Sequence, residues 1–339
     1  MLRSLLILSI VACIARGALA ADVAEERAIL AAITRAAEGR AEAGRSVRIM
    51  LLSDVWYSVG GFGQPPFEQK EADPDRRLKG EYHYRTKTTL SFDGDRLRIH
   101  EDGEIPSART GGLVPYERYH IVDGSRYAFM QPPTATTRYW VVDTCDTNIY
   151  SNLEVPRPVA YHLRMRHPDI SPDSRTVWGV AEEREKIGKS ECVVVAVGDG
   201  KSTYAFDPAR DWIVRRRQRI EKTADGEERM ATETVVEYTD PSEGDPRPVS
   251  WISRRRNDGK LRSETRVKVI EWAIRPEWKE GTFDIRYPKR SLVHEVTRSP
   301  DNPRKGIALH LAIDAEGERH EMTEQEYDAG RWKELLGVE

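Results

Sequence analysis

The 339-residue sequence is short of several features that mark large protein classes. No apolar run reaches the ~20 residues that a membrane-spanning helix needs. Neither charge dominates: 53 Lys and Arg stand against 56 Asp and Glu, a formal net charge of −3. That balance argues against nucleic acid as a partner. There is no G-x-S-x-G nucleophile elbow. The His-Glu pairs beginning at His294 and His320 lack the second histidine of a zinc-protease helix. His162 and His167, five apart, fall on opposite faces of a strand and well apart on a helix, so they make no metal pair. No catalytic, cofactor-binding or metal-ligating residue is therefore assigned, and the chain reads as non-enzymatic. Carboxylates are abundant, but a glycosidase dyad is defined by spatial separation, so a secreted hydrolase using scattered carboxylates stays as an alternative.

One stretch imitates a nucleotide-binding loop. "GDGKST" within residues 194–206 has the Gly-Lys-Ser ending of a phosphate loop. The glycine required five positions earlier is Val195, and the next stretch of chain, "STYAFDPARDWIVRRRQRI", is β-rich rather than a helix start. "VVVAV", Asp199-Gly200 and "STYAF" instead predict a hairpin.

Residues 1–20 have the pattern of an export signal: Arg3, a short apolar core at 5–15, and "ALA" before Ala21. "IVAC", ending at Cys13, gives the alternative of a lipidated, membrane-anchored form. Either reading places the mature chain outside the cytoplasm, in the periplasm or secreted. Loss of residues 1–20 would take the net charge to −5 and leave two cysteines, Cys145 and Cys192. A disulfide between them and two buried thiols are both open.

Residues 22–43 predict an amphipathic helix with Ile29, Leu30, Ile33, Ala36 and Ala37 on one stripe, opened by Asp22 and Glu25 as a capping box. From Ser46 onward the pattern is β. "SVRIMLLSDVWYSV" is a long strand, and hairpins turn at Asp93-Gly94, Asp123-Gly124, Asp225-Gly226 and Asp258-Gly259. A short helix is predicted around "VAYHLRM", and "TFDIRYP" reads as a strand. Local hairpins make an antiparallel meander rather than a βαβ array. The tail, 297–339, predicts a hairpin in "IALHLAIDAEGERHEM" and a helix opened by Thr323 and Glu326. Arg215, Arg217 and Arg219 alternate with apolar Trp212, Val214 and Ile220, which predicts one wet and one dry strand face. The basic runs 215–219 and 254–256 split over two faces and read as solvated surface. The long loop 60–80, with Phe62 and Phe67, reads either as a lid or as a disordered excursion.

An amphipathic helix feeding an antiparallel meander resembles the LolA/LolB-like lipoprotein-carrier superfamily. The stretches that carry the resemblance are "EEREKIGKSECVVVAV", the Asp207-Pro208 turn within "STYAFDPARDWIVRRRQRI", and "GTFDIRYP" as a closing strand. It covers roughly residues 24–296 and implies a mainly β fold. The expected form is a curved antiparallel sheet making an incomplete, half-open β-barrel around the N-terminal helix. Residues 22–296 would form that domain and 297–339 a short hairpin and helix appendage. The implied function is an exported, non-enzymatic lipid- or lipoprotein-binding carrier without a cofactor. Its partners would be a lipid or an acylated protein, with a periplasmic or outer-membrane protein in addition. A periplasmic sensor binding a lipidic ligand and a protein partner is the alternative within the fold. Ile49, Leu51, Tyr204, Phe206 and Trp251 are the expected inward-facing cavity residues.

Overall fold

A computed structural model describes residues 24–58, 80–107, 112–134, 137–146, 157–163, 178–197, 201–222, 228–298 and 306–338. The chain divides into two compact units, Met1–Ala43 with Pro158–Pro248, and Gly44–Arg157 with Val249–Glu339. The fold is mainly β and antiparallel-dominated, and among the described residues the end strands of neither unit pair to close a barrel.

In the first unit, helix α1 (24–43) stands with five strands. These are β7 (Trp178–Ile187), β8 (Ser190–Val197), β9 (Ser202–Asp207), β10 (Ile213–Lys222) and β11 (Glu228–Tyr238), in spatial order β11-β10-β9-β8-β7. Helix α2 (Arg157–Leu163) lies where "VAYHLRM" predicts one. Consecutive strands pair antiparallel, β7 with β8, β8 with β9, β9 with β10 and β10 with β11, while the Asp199-Gly200 and Asp225-Gly226 turns lie outside the described residues. Gly188, at φ 60°, closes the β7–β8 hairpin in a conformation that costs a glycine nothing. After β9 the chain turns through a single 3-10 turn, Pro208–Arg210, where the Asp207 carboxylate accepts the Ala209 N–H at 3.1 Å.

The second unit holds the strands β1 (Ser46–Tyr57), β2 (Tyr82–Asp93), β3 (Arg96–Pro106), β4 (Leu113–Asp123), β5 (Arg126–Gln131) and β6 (Trp140–Asp146). It continues with β12 (Pro248–Asn257), β13 (Lys260–Ile274), β14 (Ser291–Arg298), β15 (Gly306–Ile313) and β16 (Arg319–Met322). The order is β16-β15-β14-β6-β5-β4-β3-β2-β1-β13-β12. Turns at Gly94, Gly124 and Asp258-Gly259 have positive φ and tie the hairpins where the Asp-Gly pairs predict them.

Two features depart from the expected meander. β14 pairs with β6 in parallel, which no tight turn can produce. The chain reaches it through residues 275–290, and "TFDIRYP" lies in that crossing. It is therefore not a strand: Phe283 is only 2% exposed and meets Trp278 edge-on at 5.1 Å, while the backbone joins no ladder. An aromatic plug has replaced the expected strand pairing. The expected boundary at 296/297 falls inside β14, and β15 and β16 continue the sheet beyond it. After β16 come α3 (Glu324–Asp328) and α4 (Arg331–Leu336), with the predicted capping box of Thr323 and Glu326 formed.

Candidate functional site

The first unit carries an apolar face built from three adjacent strands. Directly opposed residues share a face, so the pairs Val193 with Phe206, Val195 with Tyr204, and Val214 with Phe206 put these five side chains together. With Val197 they form one buried cluster, and Ile33 of α1 packs into it at 1% exposure. Ile29 and Leu30 extend the helix contact, as the predicted stripe requires. Polar ties hold the helix near both ends. The Val180 N–H donates to Glu26 Oε1 at 3.1 Å. Arg40 donates to the Asp211 carboxylate at 2.8 Å and to the Asp211 carbonyl. Asp211 adopts φ 55°, a left-handed turn just after Pro208–Arg210.

The second unit has a comparable face. Ile49 lies opposite Leu90 and Trp272, Leu51 opposite Thr88 and Val269, and Trp251 opposite Val267. Leu90 and Phe92 continue to Ile99 and Leu97, and these to His120 and Val122. All are buried except the partly covered Trp272 and Val269. At the β14–β15 end the same face bears Leu292 and Ala312, which α3 and α4 cover through Leu336, Trp332 and Tyr327. Gly103 opposes Thr86 on this sheet so closely that a Cβ would stand 2.3 Å from the Arg85 carbonyl oxygen. No other residue fits there.

All five expected cavity residues thus occupy buried apolar faces, Tyr204 and Phe206 in the first unit and Ile49, Leu51 and Trp251 in the second. The structure groups them in two sets by unit.

One parity expectation is overturned. Arg217 was expected on the wet face opposite Val214, yet it is only 6% exposed and donates to the Tyr204 hydroxyl at 3.2 Å. A register shift between Val214 and Arg216 inserts an extra residue, so Val214 and Arg217 come to the same face. Arg216 takes the opposite one and pairs with Glu185 at 2.6 Å.

Cys145 and Cys192 are not bridged to one another, and Cys192 is a thiol. Cys192 is fully buried, and desolvation followed by the nearby Asp207 charge pushes its thiol up to about 11, an unreactive form. His162 is buried in α2, and burial, with Arg40 and Arg247 adding to it, lowers its pKa to about 3. In the second unit His120 is lowered to about 4 by burial and by Arg118, and its Nδ1 lies 2.7 Å from the Tyr127 hydroxyl. His294 stacks on His310, which stacks on Tyr327 at 4.0 Å, and His320 bonds to Asp314 at 2.8 Å. Among the described residues no group of three or more His, Cys, Asp or Glu is placed to hold a metal ion. Nor, among them, is any helix long and apolar enough to cross a membrane.

The second unit's opposite face is apolar from β4 to β15, where Ile285 and Tyr287 of the crossing pack on Ile121, Met130, Val142, Val293 and Leu311. It is polar around β1, β2 and β13, where two hollows lie. One, of about 550 Å³, is lined by Asp54, Trp56, His83, Leu261, Glu264 and Arg266. Glu264 accepts from Arg254 at 2.7 Å and from Arg266 at 2.6 Å, and these bonds hold its carboxyl below the usual range. The other, of about 230 Å³, lies beneath the 275–290 crossing. Sequence reasoning missed both, because their residues come together only through the crossing and the strand register. The only local hint is the aromatic pair Trp278 and Phe283 in a stretch without strand alternation. The leader, Cys13, the 60–80 loop up to residue 79 with Phe62 and Phe67, and His167 lie outside the described residues.

No protein-family profile matches the chain, and no curated protein matches it. Among solved structures it is similar to a domain from Vibrio parahaemolyticus described as an outer membrane lipoprotein-sorting protein. The identity is 11%, over 74% of this chain and 94% of that one, with a TM-score of 0.42. It is also similar to a LolA superfamily protein from Nitrosomonas europaea, at 10% identity over 74% of this chain and 97% of that one, with a TM-score of 0.38.

Proposed function

We propose that this chain is an exported, non-enzymatic carrier-type protein that binds an acyl chain, of a free lipid or of a lipoprotein, on its buried apolar sheet faces. The supporting observation is the way α1 closes the first unit. Its contact with β8, β9 and β10 is an apolar stripe, Ile29, Leu30 and Ile33, laid on Val195, Tyr204 and Phe206. Glu26 and Arg40 tie it near its two ends. An acyl chain offers the same kind of surface as the stripe and can replace it. Burial stabilises by about 0.8 kcal/mol per CH₂, so a sixteen-carbon chain gains on the order of 10 kcal/mol before costs. That is enough to offset lifting a helix from one face. Export is inferred from the leader pattern, and intact-mass measurement of the native protein tests it: a chain retaining Met1 refutes it.

The binding test is a fluorescent fatty-acid series of increasing length, with native mass spectrometry of gently purified protein. Affinity is expected to rise with each added CH₂, and Phe206→Asp and Trp251→Asp are expected to weaken it in protein that circular dichroism shows to be folded. Affinity independent of chain length would refute the proposal. A co-purified protein in place of lipid would favour the sensor alternative.

A further inference from the structure

The smaller outer hollow of the second unit gathers three cations. Its lining includes Arg48 from β1, Arg98 from β3 and Lys279 from the 275–290 crossing. Ser91 and Thr89 of β2 add two hydroxyls, and Glu277 is the one carboxylate among its lining residues. The register explains the gathering. Arg48 lies opposite Ser91, Ser91 opposite Arg98, and Thr89 opposite His100, so these side chains share one face. The crossing then lays Lys279 over them. It is fixed there by the Trp278 indole N–H donating to Ser46 Oγ at 3.1 Å, and by Phe283, over whose ring Arg96 sits at 4.9 Å.

Each arginine is oriented by a partner that leaves part of its fork available. Arg48 gives Nε and Nη2 to Glu271 Oε1, at 2.8 and 2.6 Å, which leaves Nη1. Arg98 gives Nη1 to the Thr282 carbonyl at 3.2 Å and lies over the Tyr119 ring, at 5.3 Å from its centroid, which leaves Nε and Nη2. Guanidinium forks held in this way match phosphate oxygens geometrically, while a lysine adds a point charge. Three cations and two hydroxyls supply more donors than the two oxygens of a carboxylate can use. A volume of about 230 Å³ admits a phosphate with a short polyol and excludes large ligands. Glu277 opposes a second anionic group but accepts a hydroxyl.

We propose that this hollow binds a phosphate ester carrying a nearby hydroxyl, of glycerol-phosphate size, whether free or as a phospholipid headgroup. The site lies on the face opposite Ile49 and Leu51, so its failure would leave the acyl-chain proposal standing, and the reverse holds too.

The test uses the full-length protein in low salt. Isothermal titration with glycerol 3-phosphate reads the free ester, and flotation with phosphatidylglycerol against phosphatidylcholine vesicles reads the headgroup. The expected result is one-to-one binding of glycerol 3-phosphate, or selective binding of phosphatidylglycerol vesicles. Lys279→Gln and Arg48→Gln should each weaken it about tenfold, the loss of one charge-assisted bond. Lys268→Gln, which removes an exposed cation of the same sheet face outside the hollow, should leave binding unchanged. Urea midpoints confirm that the variants are folded. The proposal is overturned if neither probe binds, or if Lys268→Gln weakens binding as much as Lys279→Gln does.

Discussion

The two units cover their apolar sheet faces in different ways. In the first, the cover is α1, whose residues precede the strands they contact by about 160 positions in sequence, as Ile33 against Val193 shows. In the second, the covers grow directly out of the sheet: the 275–290 crossing joins β13 to β14, and α3 and α4 come directly after β16. A cover inserted between strands moves only if the strands beside it move. A cover remote in sequence, held by an apolar stripe and polar ties, can leave while every strand stays paired. Under the acyl-chain proposal the first unit is the place where a guest enters, and the two units are expected to have separable stabilities.

The strongest way to break that comparison is Phe206→Ala. Phe206 is 0% exposed and joins β9 to the α1 contact, so its removal should cost about 3–5 kcal/mol. Hydrogen exchange read peptide by peptide should show the loss in β8, β9 and β10, with β14 and β15 retaining their protection. If all strands lose protection together, the units unfold as one body and the comparison fails.

Acid should weaken both units, through different groups. His162 in the first and His120 in the second are held neutral, with pKa lowered to about 3 and about 4 by burial. In the unfolded chain each takes a proton near pH 6.5. The stability that each neutral ring allows is therefore complete above about pH 6.5 and is lost as pH falls toward the folded value. At pH 5 each should cost about 2 kcal/mol relative to pH 8. His162→Gln should flatten the pH dependence of exchange in β8 to β11 and leave that of β3 to β5 unchanged. An unaltered slope in β8 to β11 would show that another group carries it.

These residues also show what was legible in the sequence and what was not. Asp93-Gly94, Asp123-Gly124 and Asp258-Gly259 announced hairpins because a tight turn needs positive φ and the chemistry that supplies it is local. The stripe of α1 was legible for the same reason, since a period of 3.6 is written within one turn of its neighbours. Arg217 was misplaced because one extra residue at a bulge reverses a period-2 pattern, and nothing in "IVRRRQRI" marks the insertion. The parallel β6–β14 pair was hidden because it depends on where the 275–290 crossing lands. The phosphate-sized hollow was hidden with it. Its cations come from β1, β3 and the crossing, and each of the three stretches supplies one of them.

The smallest expected effect sharpens the same comparison at the C-terminal cover. Helix α3 has five residues, too few to persist through its own hydrogen bonds. It is opened by a reciprocal cap: the Glu326 N–H donates to Thr323 Oγ1 at 3.2 Å, and the Thr323 N–H donates to Glu326 Oε2 at 2.9 Å. Packing adds Tyr327 on His310, Trp332 against Tyr139 at 5.1 Å, and the buried Leu336. If packing fixes this cover, Thr323→Ala should cost about 1 kcal/mol or less. Exchange should speed up only within residues 323–336, and Thr323→Ser should restore the native rate because serine caps equally well. Leu336→Ala should do more damage, since it opens the contact with Ala312 and Met322 that anchors α4 to the sheet. If Thr323→Ala instead destabilises β14 and β15 as strongly as Leu336→Ala does, the cap rather than the packing fastens this cover. The second unit would then be held at its C-terminal end by a polar tie, as α1 is held in the first.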